Sequence, residues 1–330
     1  MTQEFLDVAL IAMYGKTWAL EENFQRMEQY VRQGAANGAK LVIAPETVLD
    51  GYICGKKDPK VTKEDMLGAA QSIPDGPYLQ HAAKLCRELS IYLVFGFLHK
   101  DGTELFNTVA LFDPQGAIIA THSKVNPDSE LFIVPGRELK PVDTPLGRIG
   151  FLICMDRTVP DNFLALGAQD VEVIIIPMDG SGGPENTKTM SQRARDCFSY
   201  VLVANTWSSV MVEPDGSIAI ERYETGCVSM QRLHYSRIPK GNDRFHYVRR
   251  RPDLYGPLVG PADQLNHYDE RGYPSAPRPP GRVQITGSSM RSRYTAQLLQ
   301  EIPYEDRVCR ANINGNVAGR NAPNNRHRQT

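Results

Sequence analysis

The sequence predicts an α/β protein with mixed sheets and helices outside, and three observations carry that expectation. Apolar strand-like runs alternate with amphipathic helical runs over residues 5–257. Hairpins interrupt this alternation at Asp113-Pro114-Gln115-Gly116, Pro145-Leu146-Gly147 and Pro214-Asp215-Gly216. Such hairpins exclude a pure parallel barrel. The length of 330 residues holds one large α/β domain or two ordinary ones.

The elements follow in order. Phe5 to Met13 is rich in Val, Ile, Leu and Ala and reads as a buried strand. Leu20 to Ala36 has helical spacing, with Leu20, Phe24, Met27 and Val31 on one face and Gly38 closing it. Leu41 to Ala44 is a short strand with Pro45 and Glu46 at its exit. Tyr78 to Leu89 reads as a helix and Ile91 to Leu98 as a strand. Asn107 to Phe112 pairs with Ala117 to His122, and Leu139 to Asp143 with Ile149 to Cys154. Pro160 to Gly167 and Met190 to Phe198 are expected helices. Val171 to Ile176, Tyr200 to Asn205, Ser208 to Glu213 and Ser217 to Glu221 are expected strands.

Composition changes near Gly260. Residues 261–330 contain no Lys but ten Arg, seven Pro and seven Asn, with weak apolar periodicity outside Tyr294 to Ile302. The expected organisation is a catalytic domain over residues 1–260 and a C-terminal extension over 261–330, partly irregular and available for subunit contacts.

The bulk numbers narrow the function. A formal net charge of −1 gives no reason to expect nucleic acid or an anionic membrane as partner. No apolar run reaches the roughly 18–20 residues of a membrane span. Met1 to Tyr14 carries Glu4 and Asp7 without a basic start, which does not read as a secretory signal. Six cysteines at irregular spacing, with no CxxC pair, fit reduced thiols better than disulfides or a zinc site. A cytoplasmic protein without metal or cofactor is the expectation.

Three segments end an expected strand with a reactive side chain: Leu41-Val-Ile-Ala-Pro-Glu46, Ile118-Ile-Ala-Thr-His-Ser-Lys124 and Ile149-Gly-Phe-Leu-Ile-Cys154. Taken singly, a carboxylate or lysine there is an ordinary loop residue, and most cysteines are buried structural thiols. Cys154 differs because a helix begins within a few residues. Free backbone N–H groups there lower a thiol's pKa and can hold an oxyanion. Cys86, on a helix face with Leu79, Leu85 and Leu89, reads as core, and Cys54, Cys197, Cys227 and Cys309 have no comparable setting. A Cys–His pair stays open at this point, with His122 two residues before Lys124. GxSxG, GxxxxGK[ST] and HExxH patterns are absent.

Together these segments resemble the carbon–nitrogen hydrolase (nitrilase-like) family over roughly Phe5 to Pro257. The resemblance rests on Ala44-Pro-Glu-Thr-Val-Leu-Asp-Gly-Tyr52, on Lys124 with Pro127 and Glu130, and on Pro135-Gly136. It continues through Val142 to Asp156 with Pro160, Val203-Ala-Asn205, Pro214-Asp-Gly216 and Arg251-Pro-Asp-Leu-Tyr255. It implies a four-layer αββα sandwich with two mixed β-sheets, and homodimers or higher homo-oligomers. It further implies Cys154 as nucleophile, Glu46 as general base and acid, and Lys124 as oxyanion stabiliser. Glu130, preferred to Glu138, matches the second glutamate that holds the lysine.

The residues past the nucleophile bear on the reaction. True nitrilases resemble Cys-Trp-Glu, whereas this chain has Cys154-Met155-Asp156. Members acting on N-carbamoyl amino acids resemble Cys-x-Asp-Arg-Arg, of which Arg157 supplies the first arginine and Thr158 departs from the second. A small amide or N-carbamoyl substrate is therefore expected, ahead of a nitrile, a thioester-based acyl transfer or a non-catalytic scaffold. Arg157 is a candidate clamp for a substrate carboxylate. Met155, Tyr52 and Met178 are further candidate substrate contacts, with Asp179, Trp207 and Phe132 near them.

Overall fold

Two six-stranded sheets lie face to face in the computed structural model, which describes residues 4–55, 58–127 and 129–258. The strands are β1 (Phe5–Ala12), β2 (Leu41–Ile43), β3 (Tyr92–Asp101), β4 (Glu104–Phe112), β5 (Ile118–Ser123), β6 (Val142–Thr144), β7 (Gly147–Phe151), β8 (Val173–Met178), β9 (Tyr200–Asn205), β10 (Ser208–Val212), β11 (Ile218–Arg222) and β12 (Cys227–His234). The helices are α1 (Leu20–Ala36), α2 (Lys63–Ala69), α3 (Pro77–Leu89), α4 (Pro160–Gly167), α5 (Pro184–Cys197) and α6 (Phe245–Val248). The expected extension over residues 261–330, with Tyr294 to Ile302 and Cys309, lies outside the described residues.

The sheets share one plan. The first runs β12-β1-β2-β3-β4-β5 and the second β6-β7-β8-β9-β10-β11. In each, three central strands are parallel, one antiparallel strand flanks them on one side, and on the other lies an antiparallel strand followed by an edge strand antiparallel to it. Parallel neighbours need crossover helices, and α1, α3, α4 and α5 supply them.

Period-two alternation decides what each sheet face buries. Val8, Leu10, Leu41, Ile43, Val94, Val109 and Leu111 pack with the second sheet's Ile149, Phe151, Ile175 and Leu202. Their strand neighbours Ala9, Ile11, Val42, Phe95 and Ala110 turn outward onto Phe24, Met27 and Val31 of α1 and Leu79 and Cys86 of α3. Phe163 and Leu166 of α4 and Met190 and Ala194 of α5 join the second sheet's core. The layers are thus αββα.

Several boundaries differ from the sequence reading. The β3–β4 hairpin runs on past the expected strand end at Leu98 to Asp101 and turns at Gly102 (φ +56°). β6 and β7 are shorter than expected, because the chain leaves the sheet at Leu152 to form the turn that carries Cys154. α5 begins at Pro184 rather than near Met190, since a proline is preorganised for a first helical turn. α2 and β12 were not anticipated. Thr62 and Asp65 form a reciprocal capping box that starts α2, a signal present in the sequence.

Candidate active site

Each reactive residue stands where a strand ends. Glu46 leaves β2 through a turn in which Thr47 has φ +39° and Tyr52 φ +58°. The turn crosses β3 at Gly96, where a Cβ would lie 2.6 Å from the Pro45 carbonyl, so only glycine permits the approach. Buried Asp50 holds the same turn by accepting the N–H groups of Ile53 (3.2 Å) and Leu98 (3.0 Å). Lys124 leaves β5 with its N–H on the Asn107 carbonyl (2.8 Å), and its own carbonyl accepts the Gly136 N–H (2.7 Å).

These turns bring a lysine and two carboxylates together out of water. Lys124 Nζ donates to Glu46 Oε1 at 2.8 Å and to Glu130 Oε1. Asn107 Nδ2 bridges the same carboxylates, at 2.7 Å from Glu46 Oε1 and 3.2 Å from both Glu130 oxygens. The Tyr52 hydroxyl donates to Glu130 at 2.8 Å. Glu46 and Asn107 are fully buried, and Lys124 and Glu130 nearly so. Glu138, the alternative second glutamate, is exposed.

The local fields follow from this packing. Burial lowers the Lys124 pKa, but the charges of Glu46 and Glu130 outweigh it and hold the ammonium well above its ordinary range. Burial pushes Glu130 up to about 7; the Lys124 charge opposes that rise and the Glu46 charge adds to it. Burial likewise raises Tyr52 well above its ordinary value, so its hydroxyl stays a donor.

Cys154 opens a 3₁₀ turn, Cys154–Thr158, with φ +44°. A left-handed conformation costs a non-glycine residue about 1–2 kcal/mol, so its neighbours must hold it. On one side Asp156 accepts the Ile153 N–H at 2.9 Å. On the other, Arg157 Nη1 donates to the Cys154 carbonyl at 2.7 Å. Asp156 also accepts the Asn126 N–H at 2.7 Å, tying the lysine loop to the cysteine turn. The loop after β8 closes the arrangement. The Asp179 N–H donates to Glu46 Oε2 at 2.7 Å, and its carbonyl accepts the Cys154 thiol at 3.7 Å. Glu46 and Cys154 thus bracket a single residue.

The geometry bears on three expectations. The thiol is not lowered by its turn: burial, reinforced by the Glu46 charge, pushes Cys154 up to about 12, against the opposing charges of Lys124 and Arg157. Desolvation outweighs a few backbone N–H groups, so the resting group is a thiol. Arg157 is not an open carboxylate clamp. Its Nε meets Asn186 Oδ1 (2.6 Å), Nη1 the Cys154 carbonyl and thiol, and Nη2 the Ser181 carbonyl (3.0 Å) and hydroxyl (2.9 Å), which engages all its donors within the protein. Met178 is fully buried at the end of β8, and the next residue, Asp179, meets Glu46 through its backbone N–H.

The other candidates fall nearby. Met155 is half-buried, with its carbonyl and sulfur facing the Thr158 hydroxyl. Trp207 donates Nε1 to the Gly180 carbonyl in the loop after β8. His122 is buried with Nε2 3.7 Å from Asp156 Oδ2, whereas the thiol's hydrogen-bond contacts are Asp179 and Arg157. Asn107 escaped the sequence reading. Its signal was parity, since it shares the inward face of β4 with Val109 and Leu111. Among the described residues, no three His, Cys, Asp or Glu side chains are grouped to hold a metal ion. Among them, no helix is long and apolar enough to cross a membrane.

Comparison with known proteins places this geometry. The carbon-nitrogen hydrolase family model matches residues 7–232, more than half of the chain. The chain belongs to the carbon–nitrogen hydrolase family. Nitrilase 3 of Arabidopsis thaliana is 30% identical over 166 residues, 46% of this chain and 48% of that protein. The chain spans about half the length of the curated nitrilases it matches. Human deaminated glutathione amidase is 28% identical over 281 residues, 73% of this chain and 81% of its own. Saccharomyces cerevisiae Nit3, a nitrilase-superfamily member, shares the fold with a TM-score of 0.64 at 21% identity, over 72% of this chain and 93% of its own. An amidase from Nesterenkonia sp. superposes with a TM-score of 0.65 at 18% identity, over 78% of this chain and 98% of its own.

Proposed function

We propose that this carbon–nitrogen hydrolase cleaves a small amide or N-carbamoyl compound through a thioester at Cys154, releasing ammonia or an amine. The observation that carries the reading is the Asp179 bridge. It sets a carboxylate oxygen and a thiol on one backbone residue, beside a buried ammonium.

A protonated thiol needs a base as it attacks. Glu46 takes the Sγ proton while sulfur bonds to the substrate carbonyl carbon. Lys124 Nζ, with the Met155 N–H, donates to the oxygen that becomes negative. Preorganised donors of this kind contribute about 3–4 kcal/mol. As the C–N bond breaks, Glu46 returns the proton to the departing nitrogen. Water then yields its proton to Glu46 and attacks the thioester, and the acid leaves as sulfur regains a proton. Glu130, Tyr52 and Asn107 hold Lys124 and Glu46 in place throughout.

Cys154-Met155-Asp156 favours amides over nitriles, and the likeness to deaminated glutathione amidase covers more of both chains than the likeness to the plant nitrilases. The internally engaged Arg157 favours neutral amides over carboxylate-bearing ones. A mutant amidase of Nesterenkonia sp. AN1 carries the acetamide moiety of fluoroacetamide on its active-site cysteine, which supports the nucleophile assignment by analogy. Ammonia release on a panel of small amides, N-carbamoyl amino acids and nitriles tests the proposal. Turnover of amides that disappears in Cys154→Ala supports it. Turnover of nitriles alone, or of nothing on the panel, overturns it.

A further inference from the structure

We propose that Arg157 is a positioning residue: it locks the Cys154 turn to the loop that bridges Cys154 and Glu46, and sets a fixed positive charge beside the thiol. The inference rests on the reading of Cys154 as nucleophile and Glu46 as its base.

The Cys154 turn is held in a left-handed conformation, and Arg157 Nη1 grips its carbonyl at 2.7 Å and lies 3.7 Å from Sγ. The other edge of the guanidinium reaches across the site to Ser181, through its carbonyl and its hydroxyl, while Nε reaches Asn186 in α5. Ser181 is two residues from Asp179, whose N–H holds Glu46 and whose carbonyl meets the thiol. The loop between is glycine-rich, and Trp207 holds it at the Gly180 carbonyl. Gly180 (φ +116°) and Gly183 (φ +109°) flank Ser181, and a Cβ at Gly182 would lie 2.7 Å from Asn205 Nδ2. A planar fork with donors in three directions can fix such a loop to the turn, and a lysine cannot. Without the lock, the thiol and its base are free to drift apart by more than proton transfer tolerates.

Three variants separate the lock from the charge. Each is followed by kcat and KM on the best amide, and by the pH dependence of Cys154 alkylation with iodoacetamide, read by peptide mass. The other groups facing the thiol, Glu46, Lys124, Glu130 and Tyr52, are unchanged in all three. R157K keeps the charge and loses the fork: kcat falls at least about tenfold with little change in KM, and the alkylation profile stays put. Asn186→Leu, which removes one anchor of the fork, behaves in the same direction. R157Q loses both, and its Cys154 alkylation rate at a fixed pH well below the thiol's titration also falls about tenfold. If R157Q does not fold, the first two variants still decide the lock. Wild-type kcat in R157K overturns it, and an unchanged alkylation rate at that pH in folded R157Q overturns the charge. A rise in KM confined to carboxylate-bearing amides returns Arg157 to substrate binding. Hydrolysis surviving in Cys154→Ala would instead remove the functional reading, an outcome the alkylation arm does not share.

Discussion

Replacing Lys124 by methionine tests how the buried charges hold one another. Its ammonium is 2.8 Å from Glu46 Oε1 and also bonded to Glu130, with all three side chains at most 3% exposed. Methionine fills the stem but leaves the two carboxylates to Asn107, Tyr52 and the Asp179 N–H as donors among the described residues. Removing one partner from a buried ionic cluster costs about 3–5 kcal/mol. The variant can recover part of this by protonating a carboxyl. Glu130 already sits at about 7 through burial, and loss of the opposing Lys124 charge raises it further. A raised carboxyl binds its proton more tightly in the folded than in the unfolded chain. Stability therefore rises as pH falls from the folded pKa toward the unfolded one, by about 1.4 kcal/mol for each pH unit between them. Urea unfolding of both proteins at pH 9 and pH 6 reads the difference. The variant is expected to lose about 3–5 kcal/mol at pH 9 and clearly less at pH 6. An equal loss at both values, or a loss below about 1 kcal/mol at pH 9, refutes the reasoning.

Two further outcomes follow from the same cluster. Asn107→Ala removes a shared donor from both Glu46 and Glu130; about 1–3 kcal/mol of stability is lost, and kcat falls more than KM rises, by urea unfolding and steady-state kinetics. Below about 7, Glu130 takes a proton and loosens its hold on Lys124, so kcat/KM falls with acidification there. In Glu130→Gln, that limb of the pH–rate profile is flattened.

What the sequence made legible was what local chemistry controls. The apolar spacing of α1 and the turn at Pro214-Asp215-Gly216 depend on near neighbours, and both stand where the spacing placed them. Glu46, Lys124 and Cys154 were visible because each ends an apolar strand in a matching frame. Features set by distant segments were not visible. β12 is half-exposed and polar, and becomes a strand by pairing with β1 more than 200 residues away. The height of the Cys154 pKa comes from burial between two sheets, which no local window reports. The partners of Arg157 lie in a glycine-rich loop and in the first turn of α5, 24 and 29 residues on. A free guanidinium and an engaged one look alike in sequence.

The assignment of Cys154 as nucleophile is tested most directly by iodoacetamide labelling followed by peptide mapping. In the reaction Sγ displaces iodide from the reagent carbon, and Glu46 takes the thiol proton. The account predicts one acetamide moiety per chain, on the Cys154 peptide, formed in parallel with loss of amidase activity. Label on another cysteine at the same rate, or full activity with Cys154 modified, would contradict it.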